Sequence, residues 1–266
     1  IFDSVRELDK RAEEAFNLKN GVLMEQAARG MAERIRSILS SYLSYSHKEL
    51  PLVQVVCGSG DNGGDGFALA RMLADLYCVR VVSVKEPKSP LCKLQRERLE
   101  LLGIPVSTEL QERCDILIDA VFGTGIRGSL DAETSALIER MNAVQGYKIA
   151  CDIPSGLNGF GIPSPVAFRA DETCTMGALK TALYSDAAKD YTGTIHVFSL
   201  GLPRRCYEGE SDTFLLSAAD MKLPHRSVQN THKMSYGHGL FFCGEKTGAC
   251  MLAASAALHF GVGLVT

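Results

Sequence analysis

Hydrophobic residues near the start of the chain recur at the three- and four-residue spacing of an amphipathic helix. This spacing runs through residues 2–45 and is interrupted at Asn20-Gly21. A period near 3.6 residues indicates helix, and an Asn-Gly pair is a common turn signal. The pattern therefore predicts two helices that meet at Asn20-Gly21. We expect the apolar stripe within residues 23–39 to pack on the core of its own domain.

Beyond residue 50, short apolar runs alternate with helical stretches. The predicted strands cover residues 52–57, 79–84, 116–120, 148–151, 172–175 and 194–199. The predicted helices between them cover residues 66–77, 91–102, 132–141 and 178–184. Strands that are apolar on both faces and separated by helices are typical of a parallel sheet covered on both sides. We therefore predict an α/β fold with a doubly wound sheet.

The last part of the chain, from about residue 218, is polar and rich in turn residues before a short final unit begins. We predict a strand at 240–243, a helix at 249–260 and another strand at 261–266. A unit of this size cannot bury its own faces. It is therefore either an extension that docks elsewhere or the beginning of a further domain.

Three glycine-rich loops follow predicted strands. Their sequences are SGDNGGDG after Cys57, VFGTGIRG after Asp119 and IPSGLNG after Asp152. Ligands of open α/β sheets bind beyond the carboxyl ends of the strands, and glycine lets backbone amides approach a ligand closely. The three loops together predict one shared binding site.

The first of these loops combines glycines with negative charge. Gly58, Gly60 and Gly63 match G-x-G-x-x-G, which is weak evidence for a dinucleotide site, and no Gly-Lys-Ser/Thr follows them. Asp61 and Asp65 nevertheless place two carboxylates where phosphate is expected. We predict that Asp65 begins the following helix, because a carboxylate there caps free amides and interacts favourably with the helix dipole.

A cation would reconcile the acidic loop with an anionic ligand. Asn62, Asp119 and Ser155 offer oxygen atoms from three loops that are expected to meet at one edge of the sheet. Hard cations bind oxygens from several chain segments. We therefore hypothesise a cation between the loops, which offsets the repulsion and lets the amides hold an anionic substrate.

Composition narrows the class of protein. The chain has 266 residues, of which 46% are hydrophobic and 22% charged, and its formal charge is -3. These values predict a globular protein without a nucleic-acid or membrane-surface role. No secretion signal is recognisable, so we predict a cytoplasmic location. The nine cysteines are scattered without a C-x-x-C pair, and we predict reduced core thiols.

Several motifs resemble one known family. CGSGDNGGDGFALARML, DAVFGTG, DIPSGLNG and TCTMGALK, with LMEQAA in the N-terminal helix, resemble the NAD(P)H-hydrate epimerase family, the YjeF N-terminal domain. The resemblance covers about residues 2–217, and Asp61 departs from the Asn that is common in the family. It implies a Rossmann-like three-layer α/β/α domain that interconverts the C6 epimers of hydrated NADH and NADPH (NADHX and NADPHX). It also implies a homodimer.

The same resemblance implies roles for particular residues. The implied ligands of a potassium ion are Asn62, Asp119 and Ser155. The implied substrate contacts are Asp61, Asn62, Gly63, Gly64, Asp65, Gly123, Thr124, Gly125, Ile126, Arg127, Gly128, Ser129 and Asp152. Inversion at C6 calls for a proton donor and a proton acceptor. Asp152 could alternate between the two, and Lys180 could supply the second proton or hold the pyrophosphate.

The final segment resembles a second family. HKMSYGHGLFFCGE and ACMLAASAALHFGVGLVT resemble the opening of the ADP-dependent NAD(P)H-hydrate dehydratase domain, a ribokinase-like fold. We therefore expect an epimerase domain at 1–217, followed at 218–266 by a linker and the truncated start of a dehydratase domain. That family's nucleotide-binding and catalytic Asp motifs do not occur here. We expect no dehydratase activity and a chain that is a fragment of a longer protein.

Two other functions stay open at this point. The glycine-rich loop and the alternating pattern are compatible with an NAD(P)-linked oxidoreductase, in which Glu86 would hold the ribose. A module that binds a nucleotide or a protein without catalysis is the second alternative. The presence of both Asp152 and Lys180 favours an enzyme.

Overall fold

The structure of the chain is a computed structural model that describes residues 6–42, 50–83, 85–123, 128–203, 213–222 and 226–266. It divides into two compact units, Ile1–Phe214 and Leu215–Thr266. Sequence reasoning set the boundary between residues 217 and 218. The first unit contains a large sheet and the second a small one.

The first unit is built on seven parallel strands. These are β1 (Leu52–Cys57), β2 (Cys78–Ser83), β3 (Val106–Ser107), β4 (Arg113–Ala120), β5 (Gln145–Cys151), β6 (Glu172–Met176) and β7 (Thr194–Phe198). Their order is β3-β2-β1-β4-β5-β6-β7, and every neighbouring pair is parallel. The strand order reverses between β1 and β4, which is where a doubly wound sheet opens a crevice. The predicted fold class is confirmed.

Helices cover both faces of this sheet. They are α1 (Arg6–Phe16), α2 (Asn20–Tyr42), α3 (Asp61–Leu73), α4 (Pro90–Leu101), α5 (Ala132–Ala143) and the short α6 (Lys189–Thr192). Val55 of β1 belongs to the core shared with α2, α3 and α4, whereas its neighbour Val56 belongs to the core shared with α5. Successive strand residues point to opposite faces, so an apolar strand serves two cores. Within the described ranges, no helix combines the length and apolar character needed to cross a membrane.

Two helices begin at residues whose side chains satisfy free amides. Ser89 accepts a hydrogen bond from the backbone N–H of Cys92, and Pro90 occupies the first turn of α4. Asp131 accepts a hydrogen bond from the backbone N–H of Thr134 at the start of α5. Such caps satisfy amides that have no partner within the helix. The predicted starts of these two helices therefore lie within one residue of the observed ones.

Several helix boundaries differ from the sequence prediction. The break between the first helices lies at residues 17–19, where Asn17 has a φ of +54°, and Asn20-Gly21 instead opens α2. Helix α3 begins at Asp61, not at residue 66. The predicted helix at 178–184 is only a 3₁₀ turn, Thr181–Tyr184. Local turn residues predict the ends of helices poorly, because tertiary packing decides at which residue a helix begins or ends.

The second unit contains a two-stranded parallel sheet and one helix. Strands β8 (His238–Gly239) and β9 (Leu264–Val265) pair, and helix α7 (Gly248–Phe260) connects them. The predicted strand at 240–243 is wrong, although Phe241 donates one backbone hydrogen bond to Thr266. The pairing of β8 with β9 comprises only two residue pairs, His238 with Leu264 and Gly239 with Val265.

The cysteines correct another prediction. Cys243 and Cys250 form a disulfide, because the turn before α7 brings their Cα atoms to 5.6 Å, a separation that a disulfide can bridge. A spacing of seven residues gave no signal of this pairing. Five of the six free cysteines in the described residues are buried, as predicted for core thiols, whereas Cys78 is exposed.

Candidate active site

A cleft of about 730 Å³ lies at the carboxyl ends of the central strands. Its floor and one side come from the loop after β1, the loop after β4, the residue after β5 and the end of β6. Four acidic side chains and one lysine line its described part: Glu13, Asp61, Asp65, Asp152 and Lys10. The cleft therefore occupies the position expected from the three glycine-rich loops, and it is acidic.

Glycine is required in the loop after β1 because the backbone approaches other backbone there. A Cβ on Gly58 would overlap the carbonyl oxygen of Val121, and a Cβ on Gly63 would overlap that of Gly58. This tight passage starts α3 directly at Asp61, with Gly60 at the N-cap and no side chain capping the helix. The first backbone N–H groups of a helix have no partner within it and favour anions. The loop can thus face a phosphate group.

The prediction that Asp65 begins this helix is wrong. Asp65 comes four positions after Asp61, so it lies in the second turn of α3, and it lines the cleft. The sequence pattern places the start too late, because glycines usually indicate a turn. Here Gly63 and Gly64 are part of the helix. Glycine is favoured at both positions because a Cβ on Gly63 would overlap the backbone of Gly58, and a Cβ on Gly64 would overlap the side chain of Met24.

Asp119 and Ser155 meet beneath the cleft. Both are fully buried. The hydroxyl of Ser155 donates to Asp119 Oδ1 at 2.6 Å, and its backbone N–H donates to Asp119 Oδ2 at 2.7 Å. Burial raises the pKa of Asp119 to about 6, although these hydrogen bonds oppose the increase. A negative charge on Asp119 is therefore costly at this position, and within the described residues no lysine or arginine forms an ion pair with it.

Asn62 completes the predicted ligand set at the same edge. Its side-chain Nδ2 is buried and has no hydrogen-bond partner within the described residues. A Cβ on Gly123 would lie 3.3 Å from Asn62 Oδ1 and 3.2 Å from Asp152 Oδ2. The neighbouring Phe122 donates its backbone N–H to Ser155 Oγ at 2.8 Å. Asn62 and Ser155 therefore both lie beside the segment that follows β4.

Asp152 occupies an unusual backbone position directly after β5. Its φ is +71°, which is rare for a residue other than glycine. Its backbone N–H donates to Cys174 at 2.8 Å, and the N–H of Ile153 donates back to Cys151 at 3.0 Å. This is the hydrogen-bond pattern of a γ-turn, which is strained in its positive-φ form. Strain of this kind is common at functional sites, and it turns the Asp152 side chain into the cleft.

Lys180 lies behind Asp152 and does not line the cleft. Its side chain is 2% exposed. Its Nζ donates to Asp152 Oδ1 at 2.5 Å, to Thr175 Oγ1 at 2.7 Å and to the carbonyl oxygen of Met176 at 3.1 Å. A lysine ammonium has three N–H donors, so all of them have partners within the protein.

The structure brings together only some of the predicted substrate contacts. Those lining the cleft are Asp61, Asn62, Asp65, Gly123 and Asp152. Gly63 and Gly64 are buried within α3. Gly128 and Ser129 are described but do not belong to the lining. Thr124, Gly125, Ile126 and Arg127 lie outside the described residues.

The sequence reasoning missed the walls contributed by the N-terminal helices. Lys10 and Glu13 of α1 line the cleft, together with four residues of α2: Asn20, Leu23, Met24 and Ala27. The sequence pattern predicts only that the apolar stripe of α2 packs on the core of its domain. The LMEQAA motif contains three of these α2 positions and was the available signal, because a motif shared with an enzyme family commonly lies near the site.

A doubly wound parallel sheet with an acidic cleft at its switch point defines a Rossmann-like α/β domain, and folds of this class bind ligands at that position. The chain belongs to the family described as YjeF-related protein N-terminus, whose model matches residues 20–182.

The chain is also similar to several curated proteins that carry the names of enzymes. The bifunctional NAD(P)H-hydrate repair enzyme Nnr of Helicobacter pylori is 42% identical over 100% of this chain and 56% of its own length. The NAD(P)H-hydrate epimerase of Elusimicrobium minutum is 35% identical over 75% of this chain and 94% of its own length. The chain thus spans about half the length of the bifunctional relatives that it matches.

One solved structure has the same fold. The crystal structure of the yeast protein YNL200c superposes with a TM-score of 0.66, covering 78% of this chain and 92% of the yeast chain. At 21% identity this similarity supports the fold alone.

Proposed function

We propose that this chain interconverts the R and S epimers of NADHX and NADPHX at C6. The names of the relatives support the reaction, because the epimerase of Elusimicrobium minutum aligns over nearly its whole length. The single structural observation that carries the proposal is the placement of Asp152. One carboxylate oxygen is held by the protein, while the other is directed to the cleft.

Asp152 is the group that moves the proton. C6 of the substrate carries a hydroxyl group and is bonded to the ring nitrogen, so inversion requires one of these bonds to break and form again. Asp152 either gives the hydroxyl a proton as it leaves as water, or takes its proton as the C6–N bond opens. The reverse step on the opposite face returns the proton and gives the other epimer. General acid-base catalysis of this kind contributes about 10²- to 10⁴-fold.

Lys180 acts on Asp152 and not on the substrate. Its three donors are engaged and its side chain is buried, so it has no free N–H for the pyrophosphate. Its positive charge stabilises the Asp152 carboxylate, and its hydrogen bond holds Oδ1. The sequence predicted that Lys180 supplies the second proton or holds the pyrophosphate. The geometry supports neither of these two roles.

A potassium ion fits the residues beside the cleft. Asp119 supplies a buried carboxylate without a cationic partner in the described residues, and Ser155 supplies a hydroxyl oxygen. The buried amide of Asn62 can present its oxygen by a 180° rotation. Within the described residues, no cluster of three His, Cys, Asp or Glu side chains could hold a metal. When bound, the ion supplies positive charge that offsets the carboxylates.

The cleft favours this function over a dehydrogenase. Glu86, the candidate ribose ligand, accepts a hydrogen bond from Arg96 and does not line the cleft. The proposal also includes a homodimer and a cytoplasmic location, as expected from the resemblance and the sequence. The dehydratase activity of the bifunctional relatives is not proposed for this chain.

The test is a chromatographic assay of R-to-S conversion of NADHX, with and without potassium. We expect the chain to interconvert the epimers and Asp152→Asn to lower the rate by at least about a hundredfold, because the proton-moving carboxylate is lost. Asp115→Asn is the matched control, since Asp115 only accepts the backbone N–H of Leu52 at the amino end of β4. A near-normal rate for Asp152→Asn would remove it from the mechanism.

A further inference from the structure

One buried hydroxyl group touches both members of the Asp152–Lys180 pair. Thr175 lies in β6, is fully buried and does not line the cleft. Its Oγ1 accepts a hydrogen bond from Lys180 Nζ at 2.7 Å and donates one to Asp152 Oδ1 at 3.3 Å. A hydroxyl can do both at once, because it carries one proton and two lone pairs.

The hydroxyl is needed to satisfy the lysine. The other two acceptors of Lys180 are Asp152 Oδ1 and the carbonyl oxygen of Met176. Without Thr175 Oγ1, one N–H of a buried ammonium would have no acceptor within the described residues. An unsatisfied buried charged group is costly, so the ammonium would move to find another partner. Any such movement displaces the carboxylate that it holds.

The hydroxyl also fixes the orientation of the carboxylate. Asp152 Oδ1 accepts hydrogen bonds from Lys180 Nζ, from the Met176 backbone N–H at 3.2 Å and from Thr175 Oγ1. All the hydrogen bonds that Asp152 accepts within the described residues go to this one oxygen. Oδ2 is therefore left facing Gly123 and the cleft.

We propose that Thr175 is a positioning residue, whose hydroxyl locks the Asp152–Lys180 pair so that Asp152 Oδ2 alone meets the substrate. This inference rests on the function proposed above. It assigns Thr175 no contact with the substrate, so its effect must pass through Asp152.

The same strand offers a matched control. Thr173 lies two residues earlier, on the same face of β6, and is also fully buried. Its hydroxyl donates to the backbone carbonyl of Thr192 at 2.7 Å and takes no part in the pair. Replacing either threonine by valine removes one buried hydroxyl and keeps the shape.

The experiment measures kcat and KM for NADHX epimerisation in Thr175→Val, Thr175→Ser and Thr173→Val. We expect Thr175→Val to lower kcat by about tenfold to a hundredfold, the loss of one hydrogen bond to a charged group, with little change in KM. Thr175→Ser, which keeps the hydroxyl, should recover most of kcat. Thr173→Val should keep the kcat of the unmodified chain. If the Thr175→Val variant does not fold, Thr175→Ala is measured in its place, and the same loss of kcat is expected.

A double-mutant cycle separates positioning from a general structural effect. In an Asp152→Asn background, Thr175→Val should lower the remaining rate by less than about twofold, because the group through which it acts is already lost. The inference is overturned if Thr175→Val and Thr173→Val have the same kcat, if serine does not rescue, or if the two effects add fully. An inactive unmodified chain would refute the proposed function itself and, with it, this inference.

Discussion

At the scale of single residues, the cleft places several acidic side chains where the proposed dinucleotide would enter. Asp119 is fully buried, so that a negative charge there is costly, and burial raises its pKa to about 6. Two hydrogen bonds from Ser155 compensate this charge only in part. The buried amide of Asn62 has an unsatisfied Nδ2 in the described structure. Both features are costly in isolation, and the proposed monovalent cation would offset the charge of Asp119.

Potassium should therefore stabilise the folded chain. A cation at about 100 times its Kd adds about 2.7 kcal/mol, which raises Tm on the order of 5–10 °C for a domain of this size. The measurement is thermal unfolding in potassium chloride and in choline chloride at equal ionic strength. Asn62→Ala should lose most of this increase.

Asn142→Ala is the control for that experiment. Asn142 is also a partly buried amide, but its partners are the carbonyl of Ala167 and the N–H of Arg169. This variant should keep the response to potassium even if its Tm is lower. Equal responses of Asn62→Ala and the unmodified chain would exclude Asn62 from the ligand set.

At the scale of elements, a partly buried ion pair joins α2 to β6. Arg34 of α2 donates to Glu172 Oε2 at 2.8 Å and to Oε1 at 2.5 Å, and Tyr147 of β5 donates to Oε1 at 2.8 Å. Burial raises the pKa of Glu172, but the hydrogen bonds from Arg34 and Tyr147 and the charge of Arg34 together bring it below the usual value of 4.5. Glu172 is thus held ionised between a helix and the sheet.

Glu172→Gln should destabilise the chain by about 3 kcal/mol, because it leaves Arg34 without its charged partner in a partly buried position. Since the folded pKa is depressed, this contribution is present above pH 4.5 and is lost as the pH falls through the lower folded value. Urea unfolding at pH 7 and near pH 3 measures both effects. The difference between variant and unmodified chain should shrink at the lower pH.

A neighbouring pair on the same helix gives the comparison. Glu33 pairs with Arg29 at 3.2 Å, with both side chains largely exposed. Glu33→Gln should change stability by less than about 0.5 kcal/mol. Similar losses for Glu172→Gln and Glu33→Gln would mean that burial does not strengthen the first pair.

The elements also show how far sequence reasoning reaches. Alternation of short apolar runs and helical stretches predicted six of the seven strands, because each is long enough to be apolar on both faces. Strand β3 was missed, since Val106–Ser107 has only two residues and thus no period. At the site, the position of the loops was predicted from chain order, and the role of Asp152 was implied by the family resemblance. The burial of Lys180 was not predicted, because it depends on the path that residues 177–180 take after β6, which brings Lys180 against Asp152 and Thr175.

At the scale of the whole molecule, the chain separates into two units, and the described cleft lies entirely in the first. The second unit has a helix with no buried residue and a disulfide between Cys243 and Cys250. None of its described residues lines the cleft. We therefore expect the proposed reaction to need only the first unit.

Truncation after Phe214 should leave epimerisation of NADHX within about twofold of the full chain, because the first unit has its own sheet and its own cores. The measurement is kcat for both chains, with a thermal melt to confirm folding of the shorter one. A folded but inactive shorter chain would show that the second unit contributes to catalysis.

Strand β6 carries Glu172 at its amino end and Thr175 at its carboxyl end. The residue that anchors α2 and the residue proposed to orient the reacting carboxylate are thus separated by a rigid length of sheet. We therefore expect substitution of Glu172 to lower the melting temperature while the orientation of the Asp152 carboxylate is kept.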